Sequence, residues 1–224
     1  MIKILLKKEL ICELRRKETL VSLSILALLL ALMISAGLHI VLVSAASIER
    51  FLPVLIWVPF ILIATVSISR TFEFETEHMA LEGTLLSQVT ASSVFVAKWL
   101  TAFCMIFFAQ VLYCVLLFSL SGFNQLSFDW LAFFGLSFFV VLGFCSIAVL
   151  ITAISSLSSQ KGLLLPLLLL PLGLPLLVTA IELTSQIVID GKLLFSSQSV
   201  TLLLIINIVY FLLSFNLFGF VLRE

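Results

Sequence analysis

The chain has 224 residues, 62% of them hydrophobic and 11% charged, with a mean hydropathy of +1.33, far above the roughly 45–50% apolar content of a soluble domain. Such a composition excludes a water-soluble globular fold, because the polar surface is too small to cover the apolar one. Lys plus Arg and Asp plus Glu both total 12, so the net charge offers neither a footprint for nucleic acid nor an acidic tail.

The first 18 residues place Ile2, Leu6, Leu10 and Leu14 on one i, i+4 ridge with Lys and Arg on both sides. This predicts a helix over 1–18 lying in the membrane interface, its basic side chains snorkelling to the headgroups. Beyond it, charge-free runs at 19–48, 51–69, 99–128, 130–160, 162–181 and 193–222 each approach or exceed the roughly 20 residues that cross a bilayer core. Lipid tolerates no unpaired backbone, so each run is read as a helix. The expected fold is an all-α integral membrane protein, one transmembrane domain over 1–224. Its spans fall at about 20–43, 51–69, 99–120, 130–154, 162–182 and 200–222.

A secretory signal is imitated by the basic residues in 3–17, the apolar stretch after them and Val43-Ser44-Ala45-Ala46. The apolar stretch is longer than the roughly 7–15 residues of a signal core, and further spans follow it, so it is read as a retained first span. Six of the twelve basic residues precede this span, and Arg70, Lys98, Lys161 and Arg223 flank the alternate connections. Only Arg50 and Lys192 fall on the other face. By the positive-inside rule, both termini are expected in the cytoplasm of a bacterial inner membrane, with 44–50, 121–129 and the 182–198 connection in the periplasm.

Short connections leave no room for a soluble catalytic domain. The longest, 70–98, runs on the cytoplasmic side and carries Glu73, Glu75, Glu77 and Glu82 where topology favours Lys and Arg. These acids are a candidate docking surface for another protein. In the fifth span Pro166, Pro171 and Pro175 fall within ten residues. Each removes a backbone donor and clashes with the preceding turn, which predicts a kinked or broken helix and a candidate hinge. Pro53 and Pro59 give the second span a milder irregularity.

No charge falls at mid-span, which disfavours a proton-coupled transporter. Gln110, Asn207 and Asn216 are the strongest polar groups within spans. Nothing matches H-E-x-x-H, G-x-S-x-G or a P-loop, so ATP hydrolysis, if used, belongs to another subunit and the chain is not expected to be an enzyme. Cys12, Cys104, Cys114 and Cys145 have no metal-site spacing and read as small buried residues. His39 and His78 fall on opposite sides of the membrane, too far apart to share an iron, and His39 reads as an interfacial polar residue.

Further residues carry a family resemblance through nearly the whole chain. They are Lys8-Glu9-Leu10 followed by Glu13-Leu14-Arg15-Arg16-Lys17-Glu18, and Trp57-Val58 in the second span. Arg70 and Phe72 with the acids after them, Leu81-Glu82-Gly83 with Leu85-Leu86, and Lys98 continue the pattern. The most specific block is Leu165-Pro166 through Pro171-Leu172-Gly173-Leu174-Pro175-Leu176. In these residues the chain resembles haem exporter protein B, the CcmB family of permease subunits in the ABC complex of cytochrome c maturation, and more broadly the ABC-2 permease class. One departure is Ser87-Gln88-Val89, where the pattern leads one to expect a proline after Leu-Leu.

The resemblance implies a division of labour. A separate ATPase subunit (CcmA-like) binds ATP and docks on a coupling helix from the 70–98 loop, with Arg70, Glu73, Glu75, Glu82, Gly83 and Lys98 as the coupling residues. CcmC-like and CcmD-like membrane subunits and a haem chaperone (CcmE-like) complete the complex, whose output is release of the haem-loaded chaperone. The tryptophan-rich segment that handles haem in CcmC is absent, so this chain is expected to bind no cofactor itself while the complex handles haem. The open alternatives are an ABC-2 permease for a lipid, drug or glycan, and an ATP-independent transporter or scaffold.

Overall fold

A computed structural model of the chain describes residues 2–15, 17–40, 45–77, 91–122, 128–156, 161–190 and 198–221. Among them the regular structure is helical throughout: α1 (Ile2–Arg15), α2 (Lys17–Ile40), α3 (Ala45–Glu77), α4 (Ala91–Ser121), α5 (Trp130–Ser156), α6 (Lys161–Asp190) and α7 (Gln198–Val221). Six of these, α2 to α7, are long and apolar enough to cross a membrane. The protein is a multi-pass membrane protein of the expected class.

Lipid tails are as apolar as leucine, so helices here associate through close packing, aromatic contacts and interhelical hydrogen bonds rather than through escape from water. The most enclosed spans are α5 and α3; α2 and α7 are the most exposed. Around α5 stand α3, α4, α6 and α7, while α2 lies against α4 and, less extensively, α3. The contact face of α2 is a ridge of mostly small residues, Thr19, Leu23, Ala27, Ala31 and Ser35, all buried. Side chains this small at i, i+4 spacing let two backbones approach closely.

The far end of α2 is fastened by polar contacts. The Ser35 hydroxyl donates to the Leu120 carbonyl at 3.0 Å, and His39 Nε2 lies 3.4 Å from the same oxygen. Leu120 is in the last turn of α4, where carbonyls lack intrahelical partners. Gly122 follows in the left-handed region (φ 67°), a conformation that ends a helix at little cost only for a residue without Cβ. His39, read from sequence as an interfacial polar residue, therefore has a definite neighbour. At the start of α5 the Asp129 carboxylate accepts hydrogen bonds from the backbone N–H groups of Leu131 and Ala132, both at 3.1 Å. Such an N-cap contributes about 1 kcal/mol.

Three helices run beyond the lengths read from hydropathy, α4 by starting at Ala91 rather than at 99. α3 continues past Arg70 to Glu77, and α6 continues past Glu182 to Asp190, so the 70–98 and 182–198 connections begin as helix. The fifth span is also not broken. α6 is continuous from Lys161 to Asp190 with Pro166, Pro171 and Pro175 inside it, which corrects the expectation of an interrupted helix. Each proline forfeits one hydrogen bond, whereas opening the backbone in lipid would orphan several groups at several kcal/mol each, so the helix persists.

Candidate functional site

Of the predicted coupling residues, four lie at the end of α3 and near the start of α4, the helix against which α1 packs. Glu73 and Glu75 lie in the last two turns of α3, and Arg70, exposed, lies just before them. Glu82 and Gly83 lie outside the described residues. Lys98 is two turns into α4, which packs on α3, and is only 4% exposed.

Sequence reasoning missed the partner helix at this end. α1 packs chiefly against α4, so it is docked on protein. Among its described side chains the one that is buried is Glu13, 4% exposed, and not a member of the apolar ridge. Two charged groups, Glu13 and Lys98, are thus buried on a pair of packed helices, and neither is left unpartnered. Burying a charge costs several kcal/mol unless it is compensated. The signal available in the sequence was an acid inside an otherwise basic helix, but burial could not be read from it.

From this end α3 leads without interruption to Trp57 at the heart of the bundle. The Trp57 indole N–H donates to the Thr184 hydroxyl of α6 at 2.8 Å, both residues fully buried. Its ring meets Phe60 edge-on at 5.3 Å, and Phe60 meets Phe144 of α5 in the same way at 5.3 Å. Each such aromatic pair adds about 0.5–1.5 kcal/mol beyond the area it buries. Trp57 and Phe60 thus tie α3 to α6 and to α5. Val58, its sequence neighbour, is more than half exposed and points away.

A second tie follows from proline chemistry. Pro59 has no N–H to offer the Leu55 carbonyl four residues earlier. The Tyr113 hydroxyl of α4 donates to that carbonyl at 2.6 Å, so the gap left by Pro59 becomes an attachment point between α3 and α4.

α6 carries three prolines. Pro171 and Pro175 are exposed and Pro166 is half-buried, while Leu165, Leu169, Leu176, Ala180 and Leu183 form the buried ridge facing the bundle. The carbonyls that these prolines leave without an N–H partner are four residues earlier, at 162, 167 and 171, whereas the side-chain hydroxyls go to neighbouring carbonyls. Tyr210 of α7 donates to the Leu172 carbonyl at 2.6 Å, and the Thr179 hydroxyl lies 3.2 Å from the Pro175 carbonyl and 2.8 Å from that of Leu176. The coupling residues and the prolines are not brought together. They are linked through α3, Trp57 and Thr184.

The polar groups within spans turn inward on their own helices. Asn207 Nδ2 donates to the Leu203 carbonyl at 2.8 Å, Asn216 Nδ2 to that of Leu212 at 2.7 Å, and Gln110 Nε2 approaches Cys114 Sγ at 3.6 Å. Asn207 also sits where α7 crosses α5. A Cβ on Gly143 would stand 2.6 Å from Asn207 Oδ1 and from Leu176 Cδ1, so glycine there permits the close approach of α5, α6 and α7. Cys114 and Cys145 are buried free thiols and Cys104 is half-buried. Among the described residues, no three of His, Cys, Asp and Glu converge on a point that could hold a metal.

The family model described as CcmB protein matches residues 1–222, which takes in α1, every span and the α3, α4 and α6 elements just described. The chain belongs to the CcmB family. That makes it a membrane permease subunit of the haem export and cytochrome c maturation system, a transporter component. No curated protein matches the chain. The blocks that carry the CcmB resemblance, Trp57, Lys98 and the proline run, occupy the helix contacts of the route from the α1 end to α6.

Proposed function

We propose that this CcmB-family chain converts ATP hydrolysis on a separate CcmA-like subunit into release of a haem-loaded, CcmE-like chaperone from a complex with CcmC-like and CcmD-like subunits. The ATPase docks on the acidic end of α3 and the 78–90 segment after it, through Arg70, Glu73, Glu75, Glu82, Gly83 and Lys98. The observation that carries the reading is the unbroken helix from Glu77 back to Trp57, where a buried hydrogen bond hands motion to the proline-rich α6. Haem is cargo of the complex in this scheme, and ATP is bound by the partner.

Docking is tested by reversing Glu75 and Glu82 to Lys together. A charge pair at a wet rim contributes about 1 kcal/mol at most, so a double reversal, which adds repulsion at both sites, is expected to cut ATPase co-purification about tenfold or more. Membrane insertion should be unaffected. Undiminished co-purification would count against these acids as the docking surface.

The same scheme places both termini and the acidic end in the cytoplasm of a bacterial inner membrane, supported by the ten-to-two partition of basic residues. Single cysteines at Ser47, Asn124 and Ser197 in a Cys-free background are expected to react with an impermeant thiol reagent added from the periplasmic side, and one at Ser87 to be protected. The reverse labelling pattern would invert the orientation.

A further inference from the structure

A concave cavity of about 520 Å³ opens between α5, α6 and α7, at the end of the bundle opposite α1. Its volume lies within the roughly 300–1,000 Å³ of small-molecule sites. Gly135 and Leu136 of α5, Leu183 of α6 and Leu203 of α7 are among its walls, and every lining residue but one is apolar. The exception is Asp129, half-buried at the mouth.

The dimensions separate two kinds of occupant. On α5 the lining runs from Asp129 to Phe139, which at 1.5 Å per residue is about 15 Å, half of the roughly 30 Å hydrocarbon core. A transmembrane helix of another subunit would need a groove through both leaflets. One lipid occupies one leaflet, with its headgroup at the boundary. That boundary is marked here by Trp130, next to Asp129, an indole of the kind that gathers at the membrane–water interface.

Charge selects among lipids. Both cap bonds from α5 end on Asp129 Oδ1, and the carboxylate brings negative charge to the mouth of an otherwise apolar cavity. An anionic headgroup is repelled there, as is a porphyrin with two propionates. A cationic headgroup is attracted. A primary ammonium offers three N–H donors to a carboxylate, whereas a trimethylammonium offers none.

We propose that this cavity is a site for one phospholipid whose headgroup ends in a primary ammonium, its acyl chain lying between α5 and α7 and its ammonium on the Asp129 carboxylate. The lipid seals a gap in the α5–α6–α7 packing that no side chain fills.

The test uses the purified full chain, delipidated in detergent and then given phosphatidylethanolamine or phosphatidylcholine with identical acyl chains. Native mass spectrometry counts retained lipid, and thermal unfolding reads the stabilisation. The wild type is expected to retain one phosphatidylethanolamine about tenfold more strongly than phosphatidylcholine, the advantage of one hydrogen bond to a charged group. Asp129→Asn keeps an equally good N-cap and should erase that preference. Gly135→Trp should abolish retention of both lipids, because a Cβ at Gly135 meets nothing within 4 Å and the ring has the cavity to enter. A photoreactive group at Leu136 in intact membranes should label lipid. Equal retention of the two lipids by the wild type would mean bulk solvation by the bilayer only, and labelling of a protein helix would identify a subunit contact. Either result overturns the proposal.

Discussion

With Pro171 and Pro175 both replaced by Leu, the complex is expected to assemble and bind ATP as before but to hold on to its haem-loaded chaperone, which accumulates as a coloured species. Both prolines are exposed, so leucine at either site disturbs no packing within the chain. Each substitution restores a backbone donor to the turn before it, and an interior proline costs about 3 kcal/mol in helix propensity, so the pair stiffens α6 substantially. α6 is continuous through the prolines, yet the carbonyls at 167 and 171 have lost their intrahelical donors to Pro171 and Pro175, which is where the helix can bend. The measurement is the rate of chaperone release on adding ATP to the purified complex. Release at the normal rate would make the prolines packing features and remove α6 as the moving element.

Tyr113→Phe is expected to destabilise the bundle by about 1.5 kcal/mol, near the top of what interhelical hydrogen bonds contribute in membranes, where the average is about 0.6. The average is low because the separated helices find other partners for the same groups. Leu55 has lost its intrahelical donor to Pro59, so its carbonyl has few alternatives once the Tyr113 hydroxyl is gone. A double-mutant cycle isolates this cause. In a Pro59→Ala background the helix supplies the missing N–H, and Tyr113→Phe should then cost less than half as much in reversible unfolding in bicelles. Equal costs in the two backgrounds would mean that the hydroxyl serves some purpose other than the proline gap.

The existence of the six spans was legible because charge is expelled from a bilayer core, so charge-free runs mark the core directly. Helix ends were less legible. Charge-free runs stop at the first charged residue, and α3 and α6 go on as helix past Arg70 and Glu182, to Glu77 and Asp190. Helix faces were nearly illegible, because in lipid both faces of a span are apolar and no polar stripe marks the outside. Hence the ties of Trp57 to Thr184 and Tyr113 to Leu55 could not be read from spacing, although Trp57 and Pro59 each stood out singly. The burial of Glu13 and Lys98 was hidden for a related reason: a charge near a span end reads as interfacial until a neighbouring helix is seen to cover it. Pro166, Pro171 and Pro175 predicted a kinked or broken helix, and α6 is not broken. The rule that proline breaks helices is a rule about water, where freed backbone groups find solvent.

The length of α3 has a mechanical consequence. Its 33 residues form a rod of about 50 Å, some 20 Å longer than the hydrocarbon core is thick. If the rod pivots near Pro59, the arm to Glu77 is about 27 Å and the arm to Ala45 about 21 Å. A tilt of about 10° then swings the acidic tip by almost 5 Å and the opposite tip by nearly 4 Å in the reverse sense, while Trp57, a few ångströms from the fulcrum, shifts by less than 1 Å. A lever of this shape carries displacement from one side of the membrane to the other, and Trp57, bonded to Thr184 near the fulcrum, would pass α6 a rotation rather than a translation.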